Sequence, residues 1–295
     1  LVPGGLAPVA SDPPPGDGSL ELSLGPYRLR VGNGFGPRVT GLRHDDGAEI
    51  FASLPDSVSV ESPLGRYRFR GGHRLWVAPE RPEISYAPDE HECQVSATSE
   101  SISIVAPADA VGLAKEMRIT LDGDGLIVDH GLTRSGTGTF EVGPWAITQL
   151  PLGGMAVLAV KGPVETMVTP NRELVLWPYT RLDDRRLSWT QDAVVVEATS
   201  GPSLKVGSGP TPGSLGYLKD GQLFIKSFTT SGMSLPDRGA VGQVFTNEDF
   251  CELESLGVVI GLQYGSQIWH RETWHVFSCE DLPTAVALVT GVAHS

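Results

Sequence analysis

From Leu20 onward the chain reads as strand, turn, strand with hardly an interruption, and this two-residue rhythm points to an all-β architecture. The clearest runs are Tyr27 to Val31, Val58 to Ser62, Ser101 to Val105, Glu116 to Leu121, Met155 to Val160, Ala193 to Ala198 and Leu223 to Phe228. Turn signals separate them at Asn33-Gly34, Asp46-Gly47, Asp122-Gly123-Asp124-Gly125 and Lys219-Asp220-Gly221. The 36 glycines and 23 prolines suit many tight connections and few helices. One helix is expected, at the end of the chain. Ser278 or Asp281 can cap it, Pro283 suits its first turn, and Ala285, Val286, Leu288, Val289 and Val292 form an apolar stripe. There is no α/β alternation and no composition break after residue 20. The pattern therefore predicts one large antiparallel β-sandwich over residues 20–295, preceded by a Pro/Gly-rich extended arm over residues 1–19.

The 295 residues, 40% hydrophobic and 19% charged, are ample for a packed core. With 22 basic against 35 acidic residues the net charge is −13, a field that repels phosphate backbones and anionic lipid. Nucleic acid and membrane surfaces are therefore not expected partners, although a local basic cluster could still hold an anion. No apolar run reaches the length of a membrane-spanning helix, and no basic-apolar-small leader is visible. The sequence begins at Leu1, so the compartment stays open between the cytoplasm and export after removal of a signal sequence. Cys93, Cys251 and Cys279 are too few and too scattered for a disulfide framework or a zinc site. They are expected to be unbridged and partly buried. Oligomeric state has no sequence signal.

The densest chemistry lies at Arg66-Tyr67-Arg68-Phe69-Arg70-Gly71-Gly72-His73-Arg74-Leu75-Trp76-Val77-Ala78-Pro79-Glu80. Three arginines alternate with Tyr67 and Phe69, as on a strand with one cationic and one apolar face, and the double glycine ends that strand. His73, Arg74 and Trp76 are then expected at the rim of a sheet. The plainer reading is an edge strand and turn with solvated arginines. In Cys251-Glu252-Leu253-Glu254, the two glutamates share a face, either as a general base in a cleft or as a solvated strand face. Lys226 shares a face with Phe224 and Phe228, so it needs an anion, a ligand or an escape to water. Lys205 sits similarly in Leu204-Lys205-Val206-Gly207. Trp145, Trp177, Tyr179 and Tyr217 stand beside polar residues, as sugar-stacking aromatics do and as core aromatics also do. The nucleophile elbow, the phosphate-binding loop and the zinc helix are absent from the sequence. His270 and His275, five apart on a strand, fall on opposite faces and cannot share a metal. Asp122-Gly-Asp124-Gly is a hairpin turn rather than a calcium loop. No motif calls for a cofactor.

Taken in order, these segments resemble the galactose-mutarotase-like superfamily over nearly the whole chain after residue 20. Gly34-Phe35-Gly36-Pro37-Arg38-Val39-Thr40-Gly41-Leu42 is similar to its early strand-turn segment. Arg70-Gly71-Gly72 with Trp76 is similar to the hexose-phosphate epimerase branch, and Cys251-Glu252-Leu253-Glu254-Ser255-Leu256-Gly257 to the segment carrying its glutamate base. Together with Pro144-Trp145-Ala146-Ile147-Thr148, these motifs most closely match a bacterial subgroup. The resemblance implies a β-supersandwich that binds a small carbohydrate on a concave sheet. It also implies aldose 1-epimerase chemistry, in which a glutamate takes the anomeric proton and a histidine protonates the ring oxygen. Glu254 aligns with the base and Arg70 with a substrate-binding arginine. The mid-chain acid histidine is replaced by the Trp145 segment, so His73 becomes the expected acid, with Lys226 second. Arg38, Arg70, Arg74, Trp76, Glu80, Trp145, Lys205, Tyr217 and Lys226 are the expected substrate-binding residues. Two alternatives stand beside the isomerase: a sugar-binding module without catalysis, and another reaction on an anionic sugar.

Overall fold

The computed structural model describes residues 18–160, 168–209 and 212–292. The predicted arm therefore lies almost wholly outside the described residues. The rest of the chain builds two large antiparallel sheets, each of ten strands, packed face to face. Across the first sheet the strands run Leu20–Leu24, Tyr27–Val31, Arg38–His44, Gly72–Ala78, Phe140–Leu150, Cys251–Leu256, Gly242–Thr246, Leu204–Ser208 and Leu174–Leu176, with Ile260–Leu262 on one end of Phe140–Leu150. Across the second they run Leu187–Trp189, Ala193–Glu197, Met155–Ala159, Gly213–Lys219, Gln222–Phe228, Gln267–Ser278, Gly125–Arg134, Leu113–Asp122, Ser101–Val105 and Gln94–Ala97.

The alternation read from the sequence fixes which side chains meet between the sheets. Leu29, Val39, Leu204, Val206, Val244 and Leu253 come from the first sheet. They pack against Ile104, Met117, Val128, Leu215, Phe224 and Trp274 from the second, in one fully enclosed core. The expected C-terminal helix spans Leu282–Val292. Asp281 caps it by accepting from the Thr284 N–H at 2.9 Å, and Ala285 and Val289 press onto Val157, Val195, Leu223 and Ile225 on the outer face of the second sheet. Two further helical turns, Pro82–Ser85 and the 3-10 turn Asp237–Gly239, are too short for periodicity to reveal. The Asp122–Gly125 segment closes a hairpin, and all three cysteines are unbridged and buried.

The arginine-rich segment departs from expectation at its glycines. Ser59–Ser62 and Gly65–Arg68 form a separate two-stranded hairpin, and Gly72–Ala78 is a central strand rather than a rim. Arg70, Gly71 and Gly72 all have left-handed φ values of +59°, +83° and +71°. A Cβ at Gly71 would stand 1.9 Å from the Ala52 carbonyl oxygen, and one at Gly72 would stand 2.2 Å from that of Val39. The double glycine is therefore a steric requirement for bringing two backbones together.

Candidate functional site

A cleft of about 420 Å³ lies on the outer face of the first sheet. Its floor comes from strands abreast of one another: Trp76 faces Trp145, Arg74 faces Ile147, Ile147 faces Glu254, and Lys205, Phe245 and Glu252 form a row. Because alternate residues point to opposite sides, Arg74, Trp76, Trp145, Lys205, Phe245 and Glu252 all reach the cleft. Phe69, Tyr86, Tyr179 and Phe250 form aromatic walls, and Glu80, Asn247 and Asp249 add polar groups.

Two ion pairs organise the floor. Arg74 Nη2 donates to Glu252 Oε1 at 2.9 Å, and its guanidinium lies 4.3 Å from the Trp76 ring centroid. Nε and Nη1 of Arg74 have no hydrogen-bond partner among the described residues. Lys205 Nζ and Trp145 Nε1 each donate to Glu254 Oε2 at 2.8 Å. The lysine ammonium also stands 4.8 Å from the Trp145 ring and 4.7 Å from that of Trp177. Glu254 is itself closed off from solvent beneath these groups, and its Oε1 has no partner among the described residues. Burial pushes its carboxyl up to about 7 against the pull of the Lys205 ammonium, with the Glu252 charge adding to the rise. Burial likewise raises the Tyr86 and Tyr179 hydroxyls above their ordinary range.

Of the residues expected from sequence, Arg74, Trp76, Glu80, Trp145 and Lys205 line this cleft, with Glu254 directly behind it. The others stand elsewhere. His73 is one residue out of phase with Arg74 and points between the sheets, fully buried, so it is not displayed to the cleft. Lys226 belongs to the second sheet, also fully buried, and the anion it needs is Glu272, 2.6 Å away. Tyr217 is a core residue of the second sheet whose hydroxyl donates to the Pro151 carbonyl. Arg38 braces the glycine turn: its guanidinium donates to the Phe69 and Gly71 carbonyls, to the Tyr67 hydroxyl and to Asp89, leaving it no part in the cleft. Arg70 is held by Glu90 at 2.9 Å and Asp56 at 3.6 Å and lies 4.4 Å from the Phe35 ring. Arg66 and Arg68 similarly pair with Glu61 and Glu90, so the hairpin arginines serve their own carboxylates.

Behind the floor, a polar network ties the two sheets together. His130 Nδ1–H donates to the His270 carbonyl at 3.1 Å, which leaves His130 Nε2 to accept from His73 Nε2–H at 2.7 Å. His73 Nδ1 then accepts the Thr148 hydroxyl at 2.8 Å. His270 Nε2–H donates to Ser255 Oγ at 2.6 Å, and Ser255 and Trp274 Nε1 donate to Glu272. His73, His130 and Glu272 bring ligand atoms within 4.8 Å of one another. Both facing Nε2 atoms are joined by a hydrogen bond, and the cation beside the carboxylate is the Lys226 ammonium. Burial holds all three imidazoles below their ordinary range, His270 down to about 3. Burial, the largest influence on Glu272, would raise it, but Lys226 and the neighbouring His73, His130 and His270 together outweigh burial and hold the carboxyl well below the usual carboxylate range. None of the described histidines lines the cleft.

The aromatic contribution of Phe245, Phe250 and Tyr86 and the polar contribution of Asn247 and Asp249 are not foreseen from sequence. The Val244-Phe245 alternation signals an outward-facing ring, but nothing local places it beside Lys205.

No family model matches the chain, and no curated protein matches it in sequence. Solved structures do match. An Escherichia coli K12 protein provisionally assigned as an aldose 1-epimerase is 14% identical over 88% of this chain and 99% of its own, with a TM-score of 0.54. A galactose mutarotase-like protein from Lactobacillus casei is 8% identical over 88% of this chain and 100% of its own, also at 0.54. A TPR-domain containing protein from Parabacteroides distasonis is 12% identical over 90% of this chain and 47% of its own, at 0.61. At these identities the likeness is one of fold: the chain has the β-sandwich of the galactose-mutarotase-like proteins.

Proposed function

We propose that the cleft binds a small carbohydrate and that the protein acts on it as an aldose-epimerase-like isomerase, with Glu254 taking the proton of the anomeric hydroxyl. The observation that carries this reading is the Glu254 carboxyl. It sits on the floor strand with a pKa of about 7, one oxygen anchored by two groups that line the cleft and the other without a partner among the described residues. A base poised near ambient pH suits proton transfer to and from a hydroxyl. The aromatic walls offer flat faces to the C–H surface of a sugar, and the floor charges offer partners to its hydroxyls. The fold likeness to proteins described as epimerases and mutarotases supports the choice of reaction without assigning it.

The test is anomer exchange followed by NMR on a panel of free sugars, with the native protein and Glu254→Gln. At least one sugar is expected to exchange faster with the native protein, and the variant to lose about 10²- to 10⁴-fold of that rate. Equal rates refute the proposal. A second reading, binding without turnover, is favoured by the absence of an imidazole from the cleft among the described residues. Calorimetric binding of a saccharide whose anomers exchange no faster than in buffer selects that reading.

A further inference from the structure

We infer that Lys205 is the proton donor of this site, serving the ring oxygen that no imidazole among the described residues is placed to reach. The inference rests on the isomerase reading above. On the Leu204–Ser208 strand, Leu204 and Val206 turn into the core while Lys205 turns out to line the cleft. Its ammonium is held between the Trp145 and Trp177 rings, and its one hydrogen bond among the described residues goes to Glu254. An ammonium carries three donors, so further N–H bonds are available to a ligand.

The other cleft groups are poorly suited to give up a proton. A guanidinium such as that of Arg74 is a hydrogen-bond donor that does not serve as a source of protons, and this one is paired with Glu252. The Tyr86 hydroxyl already donates to Glu80, and burial makes it and Tyr179 weaker acids than an ordinary phenol. Lys205 is the one lysine among the described residues that lines the cleft.

The step balances without any co-reactant. The Lys205 ammonium gives a proton to the ring oxygen as the bond from that oxygen to the anomeric carbon breaks. Glu254 takes the hydroxyl proton as the carbonyl forms, its Oε2 released from the lysine as the ammonium turns toward the sugar. The products are an open-chain aldehyde, a neutral amine and a neutral carboxylic acid. After rotation about the adjacent carbon–carbon bond, ring closure runs the same transfers backwards and restores the ion pair. Both charges vanish and return together, so no lone charge is left in the buried site.

Lys205→Arg keeps a cation beside Glu254 but cannot release its proton, and Lys205→Met removes both the charge and the proton. Each is expected to lose about 10²- to 10⁴-fold in kcat for anomer exchange, while Lys205→Arg keeps its calorimetric sugar affinity within a few-fold. A Lys205→Arg rate within a few-fold of native overturns the inference and leaves the isomerase reading standing. A native protein that exchanges no sugar overturns both.

Discussion

Acid should unfold this protein along a slope that can be worked out from groups buried in its core. His73, His130 and His270 are held neutral in the fold, below their unfolded value of 6.5. As pH falls through 6.5 the unfolded chain takes up three protons that the folded chain refuses, so stability is lost. Glu254 works the other way. Its folded carboxyl titrates at about 7 and its unfolded one at 4.5, so between those values the folded state holds the extra proton. The net difference is at most about two protons, and at about 1.4 kcal/mol per proton per pH unit the fold loses up to about 2.7 kcal/mol for each unit between pH 6 and 5. Below 4.5 the Glu254 offset is gone and Glu272, held ionised in the fold, adds to the uptake by the unfolded chain. The slope then steepens. Against a typical total of about 5–15 kcal/mol, this predicts collapse within a few pH units of neutrality. Urea titrations at half-unit intervals of pH measure the slope directly. Glu254→Gln removes the opposing proton and should steepen the upper limb by about 1.4 kcal/mol per unit. A native stability that is flat from pH 6.5 to 4.5, or a variant slope no steeper than native, refutes the assignment of these protonation states.

Lys226→Met strands the Glu272 carboxylate between the sheets and should cost about 3–5 kcal/mol in urea unfolding, more than Lys226→Met together with Glu272→Gln. Gly72→Ala drives a Cβ into the Val39 carbonyl at a left-handed φ, and soluble yield and melting temperature should both drop sharply. Trp145→Phe removes a donor that favours the ionised carboxyl, so the Glu254 pKa, followed by carbon NMR, should move up rather than down. Asp281→Ala uncaps the last helix and should lower the midpoint in the same urea assay.

The strands, their turns and the terminal helix are legible because each is encoded by neighbours within a few residues. The shared face of Glu252 and Glu254 is legible for the same reason, as is the need of Lys226 for a counter-charge. Its partner is not, because Glu272 lies on an adjacent strand 46 positions further along the chain. His73 goes astray on parity. With the strand ended at the double glycine, the residues after it read as a rim that could display His73 and Arg74 together. In fact the glycines begin a new strand, on which neighbours must part company. The cleft walls escape notice because Phe250, which packs on Phe245, meets Phe69 only after the sheet is assembled.

The cleft floor and the inter-sheet network occupy alternate positions of the same strands: Arg74 beside His73, Ile147 beside Thr148, Glu254 beside Ser255. The two can therefore be rewritten independently by substitution, since exchanging a floor residue leaves its neighbour's partner untouched. Neither tolerates a change of count. One residue inserted in any of these strands would turn its floor side chains into the core and bring its core side chains out to the surface. Variation in the lining of the cleft is thus confined to replacements within the strands and to length changes in the loops around them.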